Sequence, residues 1–291
     1  MKNIFKKLFK KQSVAKDSIY KKLKNSSDIE KIFKAFDKHS DNSEIRFVGG
    51  CIRKFLKNEK IDDIDLATNV TPEITQKILS ENNINFFNSG IDHGTITAVV
   101  NDNKYEITSL RRDVLTDGRH ARVEFTNDWS QDASRRDFTI NSIYSDLEGN
   151  LFDPHAGKFD LENGIVKFIG DPDQRIKEDF LRILRYVRFF SDYSRIEHDE
   201  NLKIIILKNI SGIKKISKDR LLNELKKIYK SKGFLNISNN DFSALILTMI
   251  FPELKNLKSF GKLNYDALDL FFMKDFIFLL SITIIDETDN V

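Results

Sequence analysis

The chain has 291 residues, 40% of them apolar and 31% charged, with a net charge of +3. That apolar share supports hydrophobic cores and excludes a disordered or fibrous chain, and the length suits more than one ordinary domain. A single cysteine, Cys51, excludes an intramolecular disulfide and fits a reducing cytosol, so a cytoplasmic location is expected.

Residues 1–24 hold nine lysines and one acid. They lack a long apolar run and a small-residue cleavage site, so they are not a secretory signal. Residues 1–27 read as a basic extension, either a solvated tail or a short amphipathic helix through Phe5, Leu8 and Phe9. Residues 28–39 carry Ile29, Ile32, Phe33 and Phe36 at helical spacing, with Asp28 as N-cap.

The stretch Arg46–Asp65 organises the rest of the chain. Arg46-Phe47-Val48 reads as a strand, and Gly49-Gly50 as a turn that lets backbone approach a ligand. A helix begins there with Arg53 in its first turns, and its N-terminal N–H groups suit an anion. Asp63 and Asp65 flank Ile64, which predicts two carboxylates on one strand face. Such a pair beside a phosphate cradle can hold divalent metal for phosphoryl or nucleotidyl transfer, although Asp-x-Asp also occurs in solvated turns.

Thr71 and Pro72 start another helix, with Ile74, Ile78 and Leu79 inward. Residues 94–100 and 104–110 form a hairpin about Asn101-Asp102-Asn103, and Glu106 in its second strand would lie beside the aspartate pair. Residues 111–134 are polar and aperiodic, a long irregular segment of the kind that carries function. Residues 135–145 read as an amphipathic helix through Phe138, Ile140, Ile143 and Tyr144, and Ile165–Ile169 as a short strand.

From Asp173 onward the texture becomes helical. A helix over Gln174–Phe190 would align Phe180, Ile183, Leu184 and Val187, with Glu178, Asp179, Arg182 and Arg185 at three- and four-residue spacing. A helix over 217–230 has Ser217 as cap and Leu221, Leu222, Leu225 and Ile228 inward. Segments 243–250 and 265–285 also read as helical. The apolar run Phe276–Ile285 is too short to span a bilayer, which takes about 20 residues.

Glu178, Asp179 and Arg182 would make an ordinary ion pair on a helix face, or a base reader. A carboxylate only accepts hydrogen bonds and a guanidinium only donates them. Cytosine and adenine both present an amine donor beside a ring-nitrogen acceptor, whereas uracil and guanine present the reverse order. An Asp–Arg pair therefore accepts CTP and ATP and rejects UTP and GTP, at about 1–3 kcal/mol for each mispaired buried group.

These motifs together resemble the class II CCA-adding tRNA nucleotidyltransferases, within the poly(A) polymerase head family of the DNA polymerase beta superfamily. The resemblance runs from about Arg46 to Ile228. It is carried in order by FVGGCIRK…DDIDLAT, GIDHGTITAVV, YEITSLRRD…TDGRHARVEF, RRDFTINSIY, EDFLRILRYVRFF and ISKDRLLNELKKI. It implies an α+β fold with a small mixed-sheet nucleotidyltransferase head over 28–170. A helical neck over 171–230 and a partial helical body over 231–291 would come after it.

By that resemblance Asp63 and Asp65 bind two Mg²⁺, and Gly49, Gly50 and Arg53 hold the triphosphate. Arg136 and Asp137, with Arg135 nearby, contact the phosphate and ribose. Asp179 and Arg182 read the base, Glu178 orients them, and Arg111 and Arg185 complete the nucleotide contacts. Glu106 supports the metals. The implied substrates are CTP, ATP and tRNA, with no membrane partner.

The chain departs from the pattern at Lys54, where the family has Asp, and in ending at Val291 with a shortened helical tail. A reduced enzyme, a truncated product, or a tail supplied by a second polypeptide or copy would all read alike. The loop over 111–125 is full length, unlike that of CC-adding relatives. An ATP-only poly(A) polymerase and a non-catalytic RNA-binding remnant are the alternatives.

Overall fold

A computed structural model describes residues 19, 23, 26–90, 93–116, 121–262 and 275–284. The first of two compact units runs to Asp160, and the second starts at Leu161. Phe5, Leu8 and Phe9 lie outside the described residues, as do residues 263–274 of the last expected helix.

The first unit is built on α1 (Ser26–His39), whose Ile29, Ile32, Phe33 and Phe36 fall every three or four residues and are buried as expected. Asp28 is not its N-cap. It lies inside the helix, buried, and accepts hydrogen bonds from Asn101, Asn103 and the Tyr105 hydroxyl at 2.7, 2.9 and 2.9 Å. Those donors sit at the turn joining β4 (Thr95–Val100) to β5 (Asn103–Ser109), where Asn101 and Asp102 both have positive φ. Two such residues make a turn whose twist matches that of the paired strands.

β1 (Ile45–Val48), α2 (Gly50–Leu56) and β2 (Asp65–Thr68) come next, in the expected order. In α3 (Pro72–Glu81) Ile78 and Leu79 are buried, but Ile74 is exposed rather than inward, because Thr75 takes the core position. β3 (Asn85–Gly90), β8 (Tyr144–Ser145) and β9 (Leu151–Phe152) complete a sheet of order β3-β4-β5-β2-β1-β8-β9. Every pairing is antiparallel except β2 with β5. Leu66, Ile96, Ala98, Tyr105 and Ile107 point from its strands into one core with α1, α2 and α3.

The described residues among 111–134 are not irregular. They form a ribbon of β6 (Arg111–Thr116) and β7 (Ala121–Phe125), then α4 (Trp129–Arg135), which Asp128 caps through the Ser130 and Gln131 N–H groups. Residues 135–145 are not one amphipathic helix. A 3-10 turn over Thr139–Asn141 leads into β8, although Phe138, Ile140, Ile143 and Tyr144 are all buried. α5 (Gly157–Asn163) spans the division between the units.

The second unit is helical among its described residues, and residues 165–169 form no strand of a sheet. The helix expected over Gln174–Phe190 is two helices, α6 (Pro172–Glu178) and α7 (Arg182–Tyr193), because the backbone leaves helical geometry at Asp179. Phe180 lies in that break, packed so closely on Gly212 that a Cβ there would clash with its ring. The buried side of α7, including Ile183, Leu184 and Val187, packs on α9 (Lys218–Tyr229), α10 (Phe234–Asn239) and α11 (Asp241–Ile250). α8 (Glu200–Asn209) packs on α6, and α12 (Phe276–Ile284) on α9. Ser217 caps α9 as expected, with Leu225 and Ile228 buried. Leu222 is exposed, because Glu224 occupies the buried position beside Leu225.

Candidate active site

Asp65 is the first residue of β2, and Asp63 lies in the segment just before it, so one strand does not carry both. The alternation nevertheless continues through them. Ile64 packs on the core, and Asp63 and Asp65 are exposed. Because β2 and β5 run parallel with Asp65 opposite Glu106, a third carboxylate stands beside the pair, as expected. The Asp65 carboxyl is pushed above its ordinary value, first by desolvation and then by Glu106, with Asp63 adding. Arg136 and Arg53 act on it in the opposite direction.

Those two guanidiniums flank the double glycine. Gly49 has φ +71°, a conformation that L side chains rarely adopt, and an ideal Cβ on it would lie 3.7 Å from Arg136 Nη1. A Cβ on Gly50 would lie 3.9 Å from Arg53 Nη2. An anion at this turn therefore meets two planar donors and bare backbone. Next to the turn, the buried Cys51 is a packed thiol, pushed up to about 11 by burial and by Asp65, and its Sγ lies 3.2 Å from the Val48 carbonyl.

Each arginine is held from behind. Arg53 donates to Asn141 Oδ1, and Asn141 Nδ2 donates at 2.9 Å to Asp137 Oδ1, which also accepts from the Phe138 N–H. Arg136 donates to Asp132 Oδ2 through Nε and Nη2 at 3.2 and 3.1 Å. The Tyr144 hydroxyl donates to the same oxygen at 2.6 Å. Arg135 pairs with Asp132 Oδ1 at 2.7 Å, and the Arg111 N–H reaches it at 3.3 Å. Asp132 is 1% exposed. Although burial alone would raise it, Arg136, Arg135 and Tyr144 hold its carboxyl well below the usual range. Sequence reasoning missed Asp132 and Asn141. Asp132 stands three and four residues before Arg135 and Arg136, a helical spacing that would have signalled it.

In the second unit Asp179 and Arg182 do not pair with each other. Arg182 Nη1 donates to Glu178 Oε2 at 2.7 Å and to the Arg175 carbonyl at 2.6 Å, and Arg175 shares the same Glu178 oxygen. Asp179 pairs with Arg220 of α9 at 2.7 Å. Arg185 lies 4.0 Å from Glu224, a carboxylate 2% exposed that Arg188 binds at 2.7 Å. Arg175, Arg188, Arg220 and Glu224 were not singled out from the sequence.

Asp63, Asp65 and Glu106 are the oxygen donors that magnesium takes, usually as one or two carboxylates completed by phosphate and water. Among the described residues, no group of three or more His, Cys, Asp or Glu side chains is gathered closely enough to hold a metal ion by itself. The crowding of like charges at Asp65 fits a cation there.

The mixed sheet thus brings Asp65 and Glu106 side by side, with Asp63 just ahead, in the unit that carries the arginine-flanked double glycine. Residues 45–167 match the Poly A polymerase head domain, and this segment belongs to that family. Within it the chain is homologous to CCA-adding enzymes. It is 47% identical over 194 residues to the human CCA tRNA nucleotidyltransferase 1, mitochondrial, covering 65% of this chain and 44% of that protein. The mouse protein of the same name is 42% identical over 231 residues (77% and 52%). A CCA-adding enzyme of Staphylococcus haemolyticus is 37% identical over 232 residues (77% and 56%). The chain thus spans about half the length of the curated relatives it matches. Among solved structures, the Bacillus stearothermophilus CCA-adding enzyme in complex with CTP has a TM-score of 0.67 at 26% identity, covering 81% of this chain and 57% of that one. A tRNA nucleotidyltransferase complexed with a primer tRNA and an incoming ATP analog shares the fold, with a TM-score of 0.62 at 22% identity over 82% of this chain and 65% of that one.

Proposed function

We propose that this chain adds C, C and A to the 3′ end of tRNA from CTP and ATP, releasing pyrophosphate. The observation that carries this is the Asp65–Glu106 register beside Asp63, with Arg53 and Arg136 at Gly50 and Gly49. The names of the relatives support the choice of tRNA and of the two nucleotides. The head would occupy residues 28–170, the neck 171–230 and the partial body 231–291.

Asp63 and Asp65 would hold two magnesium ions, with Glu106 in support. When bound, magnesium neutralises triphosphate charge and acidifies the primer hydroxyl. Gly49, Gly50, Arg53 and Arg136 grip the triphosphate, with Arg111 and Arg135 adding positive charge. Asp137, fixed by Asn141, accepts from a ribose hydroxyl. Asp179 accepts from the exocyclic amine of cytosine or adenine, and Arg182 donates to the adjacent ring nitrogen. Arg185 completes the nucleotide contacts. Lysines and arginines of the helical unit meet the tRNA backbone, so binding weakens with salt. The lone buried Cys51 fits a reducing compartment such as the cytoplasm. No helix among the described residues is long and apolar enough to cross a membrane.

The test is incorporation on a tRNA transcript ending at the discriminator base, with each nucleotide alone and in pairs. Growth by about three nucleotides only with CTP and ATP together is the expected result, since template-free choice follows the amine pattern. Long tails from ATP alone, or arrest after cytidines, would replace the reading with a poly(A) or CC-adding one. Binding of tRNA without incorporation would leave a non-catalytic RNA-binding chain.

A further inference from the structure

Asp65 stands at one end of a row that crosses the sheet. It lies opposite Glu106 of β5, Glu106 lies opposite Thr97 of β4, and Thr97 lies opposite Phe87 of β3. Residues opposite one another on paired strands share a face of the sheet. Their chain neighbours Leu66, Ile107, Ile96, Ala98 and Phe86 turn to the other face and pack in the core with α1, α2 and α3. The face that carries the row is covered at Val48 and Ala67 by Trp129 and Ala133. Over β3 and β5 it reaches solvent, where Phe87, Lys104 and Glu106 are exposed. β3 ends the sheet on this side, Phe87 is 44% exposed, and Lys104 Nζ lies 5.5 Å from its ring centroid. A lone exposed aromatic is ordinary, but this one is in register with the carboxylates and has a cation beside it.

We infer that Phe87 and Lys104 form a platform for the unpaired 3′ end of the tRNA, the ring stacking on a base behind the terminal nucleotide and the lysine meeting a phosphate. The inference deepens the proposed function and rests on Asp63 and Asp65 marking where the primer hydroxyl reacts. The double glycine follows β1, which lies on the other side of β2 from β5, so the triphosphate and the primer come from opposite sides of Asp65. Strands lie about 4.8 Å apart, and three steps place Phe87 about 14 Å from Asp65, in reach of a nucleotide before the reacting one. Adding C, C and A changes the bases at the primer end after every step, so the grip there cannot rest on one hydrogen-bond pattern. Aromatic stacking meets that need, because every base has a π-face. An exposed cation–π contact is weaker than stacking on a base, so the ammonium yields the ring to the base and moves to the phosphate.

The experiment measures Kd, with the full chain, for a tRNA transcript ending in CC and for the same transcript without its unpaired 3′ nucleotides, and incorporation on the first. Phe87→Ile keeps β-branched apolar bulk on an edge strand but has no π-face, so it should melt within about 2 °C of the parent. It is expected to bind the CC-ended transcript about tenfold more weakly and the shortened one as the parent does. Phe87→Tyr, which keeps the ring, should match the parent on both. An abasic nucleotide one or two positions behind the end should erase the difference between Phe87→Ile and the parent, which a merely structural role would not do. Lys104→Gln should lower the slope of log Kd on log salt by about 0.7, the share of one single-strand phosphate. A parent that incorporates while Phe87→Ile binds both transcripts equally well overturns the platform alone. Equal losses on both transcripts overturn it too, since the ring would then serve the fold or the paired part of the tRNA. A parent that incorporates nothing, yet binds the unpaired end through Phe87, overturns the CCA-adding reading and keeps the platform.

Discussion

The carboxylates at β2 and the acid–base cluster at the α6–α7 break use the same side-chain types, positioned by different means. Asp65 stands where it does because β2 lies parallel to β5 in a fixed register and antiparallel to β1. Backbone hydrogen bonds set its place, and its neighbours need only be carboxylates. Asp179 and Arg182 stand where they do because Arg220, Glu178 and Arg175 hold them by side chain. Substitution at the first site should change chemistry and leave geometry alone. Substitution around the second should change geometry, and selectivity through it.

Asp65→Asn gives the largest expected effect. Incorporation should fall roughly 10³-fold or more if Asp65 holds metal as proposed, because such a carboxylate supplies several kcal/mol to the transition state. The melting temperature should hold or rise, since the ladder to Glu106 persists and one of three crowded negative charges is gone. A variant that loses activity and also melts earlier would mean that the carboxylate itself builds the site, which erases the contrast.

Asp132 tests whether the head also uses side-chain positioning. It is buried and joins Arg135, Arg136, Tyr144 and the Arg111 N–H. Asp132→Asn removes the carboxylate charge that two guanidiniums share, which costs about 3 kcal/mol of stability when buried pairs are broken. The group has a folded pKa below its ordinary value of 3.8. Its contribution is therefore complete above that value and is lost as the pH falls below it. Melting curves of parent and variant should differ most near neutral pH and converge as the solution is acidified below about pH 4. A gap that stays constant into acid would mean that shape, not charge, makes Asp132 necessary.

What the sequence disclosed divides along the same line. The α1 stripe, the strand–glycine–helix passage to Asp65, the β4–β5 hairpin and the Ser217 cap were legible because period, turn residues and caps are local signals. Residues 135–145 misled because four buried apolar side chains fit a helical period equally well. There Asp137 and Asn141 bond to each other, and Ser142 bonds to the Thr139 carbonyl, offering partners other than a helix. The β6–β7 ribbon has too many charges to show alternation. The break at Asp179 has no glycine or proline to announce it. An aspartate that caps the Leu181 N–H ends α6 instead, and the Arg220 contact that steadies it comes from 41 residues along the chain.

The smallest expected effect belongs to Lys54, where the resemblance calls for an acid. Its Nζ lies 3.2 Å from Asp62, which Lys60 also binds at 2.9 Å, on the segment leading to Asp63. If side chains positioned that segment, Lys54 would matter. Yet the same turn is tied by backbone bonds, Glu59 N–H to the Lys54 carbonyl at 2.8 Å and Lys57 N–H to the Arg53 carbonyl at 3.1 Å. Both survive substitution of the side chain, and an exposed ion pair contributes at most about 1 kcal/mol. Lys54→Ala should therefore keep single-turnover incorporation within about threefold of the parent. Lys54→Asp, which sets an acid against Asp62, should do slightly worse at low salt and recover as salt screens the pair. A fall of about tenfold or more in kcat for Lys54→Ala, with KM for CTP unchanged, would mean that a side chain steers Asp63 after all. The head would then be built like the cluster at the α6–α7 break, with a side chain rather than backbone setting its geometry.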